Sequence, residues 1–210
     1  MGVHTYFKSL AKLERINRCP GEFQFEQHTV ASHSWKVSQY AQFFGEVEAK
    51  NGADINWKSL YEKTLNHDYA EVFIGDIKTP VKYASPELRE MIAQVEEGMA
   101  KRFVEEEFPE EFQTIYHEKL REGKDDTIEG KILAFCDKLD QVYESYEEIK
   151  RGNPDKVFVD IYANALKQIL QMDLYSVEYF VKNILPDMVT EDMNSVVNIK
   201  AITDEILANM

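Results

Sequence analysis

His67 and Asp68 stand side by side in LYEKTLNHDYAEV, among Leu60, Tyr61, Leu65 and Val72, where the apolar spacing otherwise commits the chain to burial. A buried imidazole next to a buried carboxylate needs a partner, and a cation satisfies both. Two further polar residues occupy similarly apolar addresses, His33 in HTVASHSWKV and Asp137 in ILAFCDKLD. Taken singly, each has an ordinary explanation. A His-Asp dipeptide arises by chance, His33 could cap a helix or sit satisfied in a core, and Asp137 could pair with Lys138 or an arginine. Taken together, a lone His, a His-Asp pair and a lone Asp on three separate predicted helices offer two nitrogens and two carboxylate oxygens to one divalent ion. Positions remain for water and substrate.

The elements that must position these groups read as helices almost throughout. Phe7, Leu10, Leu13 and Ile16 recur at threes and predict a first helix ending near Cys19-Pro20-Gly21. A second runs from Thr29 to about Lys50, closed by Asn51-Gly52, and a third from Asn56 to Phe73. IGDIKTPVKYASP, with Gly75, Pro80 and Pro86, is the least helical stretch of the first half and reads as a functional loop. Ser85-Pro86 caps and starts a long helix, Pro109 restarts another, and Ile128 to Ile149 trace about six turns after the polar GKDDT. Asn153-Pro154 caps and starts the next, followed by helices over 173 to 185 and 190 to 207, separated by Pro186. Only VFVDIY at 157 to 162 competes as a strand, and its setting favours helix. The fold class is all-α, about nine helices in one domain spanning 1 to 210. The acidic runs EEEFPEEF and YESYEEIK read as solvated helix faces.

Composition narrows the partners. The 210 residues, 44% hydrophobic and 12% aromatic, suffice for one sizeable core. A formal net charge of -14 opposes binding to long nucleic acid or to an anionic membrane, so an anionic ligand must be small and meet a local basic or metallic site. No stretch approaches the roughly 18 apolar residues of a membrane helix. The start, MGVHTYFKSLAKLERIN, lacks an apolar signal core, and Tyr6 stands where myristoylation needs Ser or Thr. With only Cys19 and Cys136 present, far apart and without metal-binding spacing, a cytoplasmic protein is expected.

With these residues in view, the chain resembles the HD-domain phosphohydrolases, whose pattern is H...HD...D on a helical bundle, and most closely their bacterial 5'-deoxynucleotidase branch. LERINRCPG, HTVASHSWKVS, LNHDYAEVFIGDIKTPVKY and ILAFCDKLDQVYE carry the resemblance, over about residues 4 to 150. HDxxEVxxGDxxTPVK is its narrowest string. The helices after residue 153 either complete the bundle or form an interface. The resemblance implies an HD-domain helical bundle, one divalent metal held by His33, His67, Asp68 and Asp137, and hydrolysis of nucleoside 5'-monophosphates to nucleoside and phosphate.

That chemistry makes physical sense, because a phosphate monoester is dianionic near neutral pH and repels an anionic nucleophile. The resemblance assigns catalysis to Glu71 and Asp76, with proton delivery to the leaving 5'-oxygen and orientation of water as the tasks to be divided. Helical spacing after His67 and Asp68 sets the Glu71 carboxylate over the same face. Arg18 matches the phosphate clamp, a role suited to a guanidinium. Thr79, Pro80 and Lys82 are placed to shape or neutralise the site. One position departs. Where the family carries tryptophan beside the sugar, this chain has Cys19, which leaves strict deoxyribose selectivity open.

Mn, Co, Mg, Fe, Ni and Zn all suit two imidazoles and two carboxylates. His4, His28 and His117 lack metal-ligand spacing, and with only His117 between the HD pair and Asp137, two-metal chemistry is not expected. The resemblance, and the surplus of apolar helices after residue 153, suggest a homodimer, although those helices equally well complete one core. The alternatives are an HD hydrolase of nucleoside triphosphates or polyphosphates, and a non-catalytic helical module that keeps its metal for stability.

Overall fold

A chain whose apolar residues recur every three to four positions should bury one stripe of each helix, and it does so around two separate cores. The computed structural model describes residues 2–82, 84–121, 123–191 and 195–209, with the side chains of Thr79 and Pro80 outside that description. The helices are α1 His4–Leu13, α2 Val30–Lys50, α3 Trp57–Asn66, α4 Glu71–Ile74, α5 Thr79–Lys82, α6 Pro86–Glu107, α7 Glu110–Lys119, α8 Ile128–Lys150, α9 Lys156–Leu170, α10 Tyr175–Asn183, α11 Leu185–Thr190 and α12 Ile199–Ala208. Nine of these run to nine residues or more, and α4, α5 and α11 are short turns of four to six. Among the described residues there is no strand, only an isolated antiparallel bridge between Asn17 and Thr29. The described residues also include no helix long and apolar enough to cross a membrane.

The chain divides into two compact units that interleave in sequence. The first comprises Met1–Gly21, Gln27–Trp35 and Glu62–Gly123. Its core is Leu13, Val30, Tyr69, Val104, Phe108 and Leu120, lined by aromatic contacts such as Tyr6 to Phe108 at 5.1 Å and Phe73 to Phe103 at 5.4 Å between ring centroids. Within it α4 packs on α1 and α6, and α6 packs on α7.

The second unit comprises Glu22–Glu26, Lys36–Tyr61 and Lys124–Met210. Its axis is α8, capped by Thr127, whose side chain accepts from the Gly130 N–H. The helix is buried on nearly every side, with α9 along it. Phe158, Tyr162, Leu166 and Ile169 from α9, and Phe180, Leu185 and Ile199 from the helices beyond, all enter this core. The helices after residue 153 therefore spend their apolar faces inside the unit.

Several sequence-based expectations need correction. The third helix does not reach Phe73. It ends at Asn66, because Tyr69 N–H turns back to the Asn66 carbonyl (2.9 Å) and Glu71 N–H to that of Asp68 (3.1 Å), three residues back rather than four. The expected loop after Gly75 contains the helical turn α5. Pro186 does not separate two helices but sits in the first turn of α11, where a missing N–H costs nothing. No helix spans 190 to 207. Instead α12 starts at Ile199 behind Asn198, whose side chain accepts from the Ala201 N–H, and 192–194 lie outside the described residues. Asp155, not Asn153, caps α9. YESYEEIK is not a solvated face either, since Glu144 and Glu148 are buried. Glu148 accepts the backbone N–H of Phe25 and Glu26 and the Asn153 amide, which offsets the desolvation of its carboxylate.

Candidate metal and phosphate site

The first unit gathers its polar residues at the start of α2 and in the turn between α3 and α4. Thr29 and Ser32 cap each other reciprocally, Ser32 N–H to Thr29 Oγ1 at 3.2 Å and Thr29 N–H to Ser32 Oγ at 3.0 Å, fixing the first turn of α2. His33 follows at once and is fully buried. The turn carrying His67 and Asp68 is pinned by the next residue, Tyr69. Its ring lies in the aromatic core and its hydroxyl hydrogen-bonds Ser9 of α1 at 2.6 Å.

Three donor atoms converge there. His33 Nε2 is 3.1 Å from His67 Nε2 and 3.3 Å from Asp68 Oδ2, and His67 Nε2 is 3.2 Å from Asp68 Oδ2. His67 Nδ1 donates to the Thr64 carbonyl at 2.9 Å, because a carbonyl can only accept, so Nε2 is the nitrogen left to face Asp68, His33 or a cation. With both rings neutral, as binding to a cation requires, the three atoms would present lone pairs to one point. Metal–ligand bonds of about 2.0–2.1 Å give ligand-to-ligand edges of roughly 3.0–3.4 Å, so the donor set fits a divalent ion. The backbone carbonyl that orients His67 is the usual support of a ligating imidazole.

Arg18 and Glu71 border the triad. Arg18 Nη1 lies 3.7 Å from Asp68 Oδ2, in a side chain that is largely buried. Its backbone is held by its own N–H to the His28 carbonyl at 2.8 Å, beside the Asn17–Thr29 bridge. Burial alone would raise the Asp68 carboxyl, but His67 and the hydrogen bonds from both imidazoles hold it well below its ordinary value. Glu71 behaves oppositely. Burial, then the charges of Asp68 and Asp76, push it up to about 9 against the pull of Arg18 and His33. Its Oε2 is buried and has no hydrogen-bond partner among the described residues.

Asp76 follows Gly75, whose φ of 77° ends α4 in a conformation that favours glycine. Asp76 Oδ2 accepts the backbone N–H of Cys19 at 2.8 Å. Cys19 itself is in the left-handed region, with φ of 51°, so the Arg18-Cys19 turn is held strained by a carboxylate from the loop after α4. Lys82 Nζ points to Glu96 of α6 at 3.2 Å. The Thr79 and Pro80 side chains lie outside the described residues.

Asp137 belongs to the second unit, on α8, where it is 5% exposed. Its Oδ2 accepts Lys124 Nζ at 2.9 Å, rather than a charge from Lys138, which donates to Gln141. One turn on, Asp140 and Glu144 share Lys36, at 2.9 and 3.3 Å, and Tyr40 is pushed up by burial and by Asp140. Sequence reasoning missed Lys124, Lys36 and Asp140. Asp140 was visible in ILAFCDKLD as a second acid three residues after Asp137, but nothing in the sequence pairs it with Lys36.

An all-helical chain with a buried His, His-Asp cluster of this kind has the defining features of an HD-domain phosphohydrolase. The crystal structure of an HD-domain phosphohydrolase from Listeria innocua is 53% identical to this chain, with a TM-score of 0.93 and 100% of both chains covered. Residues 5–188 match the family described as YfbR-like 5'-deoxynucleotidase, and the chain belongs to that family. A 5'-deoxynucleotidase of Erwinia tasmaniensis is 26% identical over 186 residues, 88% of this chain and 92% of that protein. A cyanophage S-2L HD phosphohydrolase bound to dA and one catalytic Zn2+ ion shares the fold at a TM-score of 0.61 and 18% identity, over 86% of this chain and 95% of that one.

Proposed function

We propose that the protein is a metal-dependent phosphohydrolase that releases phosphate from nucleoside 5'-monophosphates. His33, His67, Asp68 and Asp137 would hold one divalent ion, and the convergence of the first three donor atoms within 3.3 Å carries the reading. When bound, the ion would neutralise the phosphate dianion and lower the pKa of water. Zinc is the first ion to try, given the catalytic zinc of the cyanophage protein. Mn, Co, Mg, Fe and Ni suit the same donors.

The remaining steps belong to side chains. Arg18, buried beside Asp68, is the fork that would grip two phosphate oxygens. Glu71, held protonated at neutral pH by burial and by two neighbouring carboxylates, is the group suited to give its proton to the leaving 5'-oxygen. Asp76 has one oxygen committed to the Cys19 N–H, so its task is to hold the turn that aims Arg18. Cys19 offers a smaller wall to the sugar than tryptophan would, so ribonucleotides should be accepted more readily than in relatives with the larger side chain. Thr79 and Lys82 remain candidates for substrate contact. The cytoplasm is the expected compartment, supported by two cysteines that form no disulfide.

The deciding experiment measures release from deoxy- and ribonucleoside mono-, di- and triphosphates across the six cations. Inorganic phosphate from monophosphates, lost in Asp68→Ala and His67→Ala together with bound metal, is the expected result. Pyrophosphate or triphosphate as product would reassign the substrate class. Metal that raises the melting temperature with no release from any nucleotide would overturn the enzymatic reading.

A further inference from the structure

The turn from Arg18 to Gly21 is met twice by the loop that follows α4. Asp76 Oδ2 accepts the Cys19 N–H at 2.8 Å. Two residues further along the loop, Lys78 reaches the end of the same turn, and its Nζ lies 3.8 Å from the place a Cβ on Gly21 would occupy. The lysine is half-buried, so its aliphatic stem is spent against the protein while the ammonium is delivered to the turn that carries Arg18. Lys82, the lysine that the motif suggests for this task, points instead to Glu96 of α6 at 3.2 Å.

Local charge gives the Lys78 ammonium a use. A phosphate monoester approaches a chain of net charge -14 as a dianion, so its affinity depends on cations gathered at the site. Asp68 lies beside the Arg18 guanidinium and Asp76 beneath the Cys19 backbone, while Glu71 adds no charge when protonated. Arg18 and one divalent ion do not balance these two carboxylates and a dianion. One more positive charge does. A lysine suits the part, being a compact point charge on a flexible stem that can follow an oxygen Arg18 leaves unheld. We propose that Lys78 is a further substrate-binding residue, a second cation that contacts the 5'-phosphate. This rests on the phosphohydrolase reading above and adds a phosphate contact to it.

Two measurements on the metal-loaded full chain test it, namely steady-state phosphate release from a deoxynucleoside 5'-monophosphate and calorimetric binding of inorganic phosphate. Lys78→Met should raise KM about tenfold with kcat nearly unchanged, the pattern of a contact made equally before and during reaction. It should weaken inorganic phosphate by a similar factor and flatten the dependence of KM on salt. Lys78→Gln should behave alike, Lys78→Arg should keep most of the affinity, and all three should unfold in urea close to the parent. A parent that releases no phosphate from any nucleotide would defeat the functional reading, and the phosphate calorimetry would still decide Lys78. Equal phosphate affinity in the parent, Lys78→Met and Lys78→Gln would overturn the proposal, and so would a raised KM without weaker inorganic phosphate, which would put the contact on the nucleoside.

Discussion

His33 Nε2 and His67 Nε2 face each other at 3.1 Å while the Nδ1 proton of His67 is committed to the Thr64 carbonyl. Without a cation, one proton at most can lie between them, and Asp68 Oδ2 crowds the same point. This arrangement costs folding free energy in the metal-free protein and returns it when an ion binds.

Chelation should therefore lower the melting temperature. Restoring an ion at one hundred times its Kd should add about 2.7 kcal/mol of stability, read by calorimetry. His33→Ala should erase most of this response. An identical melting temperature with and without metal would remove the site.

Glu71 gives a pH dependence of known sign. Its carboxyl is raised from 4.5 to about 9 in the folded chain, so folding takes up a proton between these values. The stability tied to the protonated group is fully present below pH 4.5 and is lost as pH rises toward 9. In the chelated protein, Glu71→Gln should melt close to the parent near pH 5 and increasingly above it toward pH 8. The same substitution should depress phosphate release, since an amide cannot deliver the proton. A constant difference across pH would mean the carboxyl is not raised.

Asp76→Ala should leave the Cys19 N–H without its acceptor and cost about 1–3 kcal/mol in urea denaturation. Asp76→Asn keeps an oxygen for that N–H and should cost less. Cys19→Gly relaxes the left-handed residue and should be close to neutral, because glycine's freedom in the unfolded chain offsets the relief. A large loss in Cys19→Gly would show that the side chain, not the backbone, matters at that position.

Lys124 holds the charge of a nearly buried carboxylate, so Lys124→Ala in the chelated protein should cost about 1–3 kcal/mol, less than a fully buried pair because the ammonium is partly solvated. Adding Asp137→Asn should recover much of the loss. Additive effects in the double-mutant cycle would mean the two groups do not interact.

The helices were legible because periodicity is a local property. The caps at Thr127 and Ser85 and the apolar spacing of α2, α6 and α8 are written within a few residues of where they act. The candidate ligands were legible for the same reason, as polar side chains at apolar addresses. What could not be read was which face meets what. The spacing of α6 marks Met91, Val95 and Met99 as a face, and only the packing shows that Ala100 and Val104 look inward instead.

By itself, then, the sequence determined an all-α chain carrying the histidines and acids of a metal site. Tertiary structure decided that α3 stops at Asn66 so that His67 and Asp68 sit in a turn, that Lys124 neutralises Asp137, and that Glu144 and Glu148 are buried. The division has one physical cause. Helix formation depends on neighbours in the chain, whereas desolvation, ion pairing and convergence on a cation depend on residues tens of positions away, whose positions only the packed fold fixes.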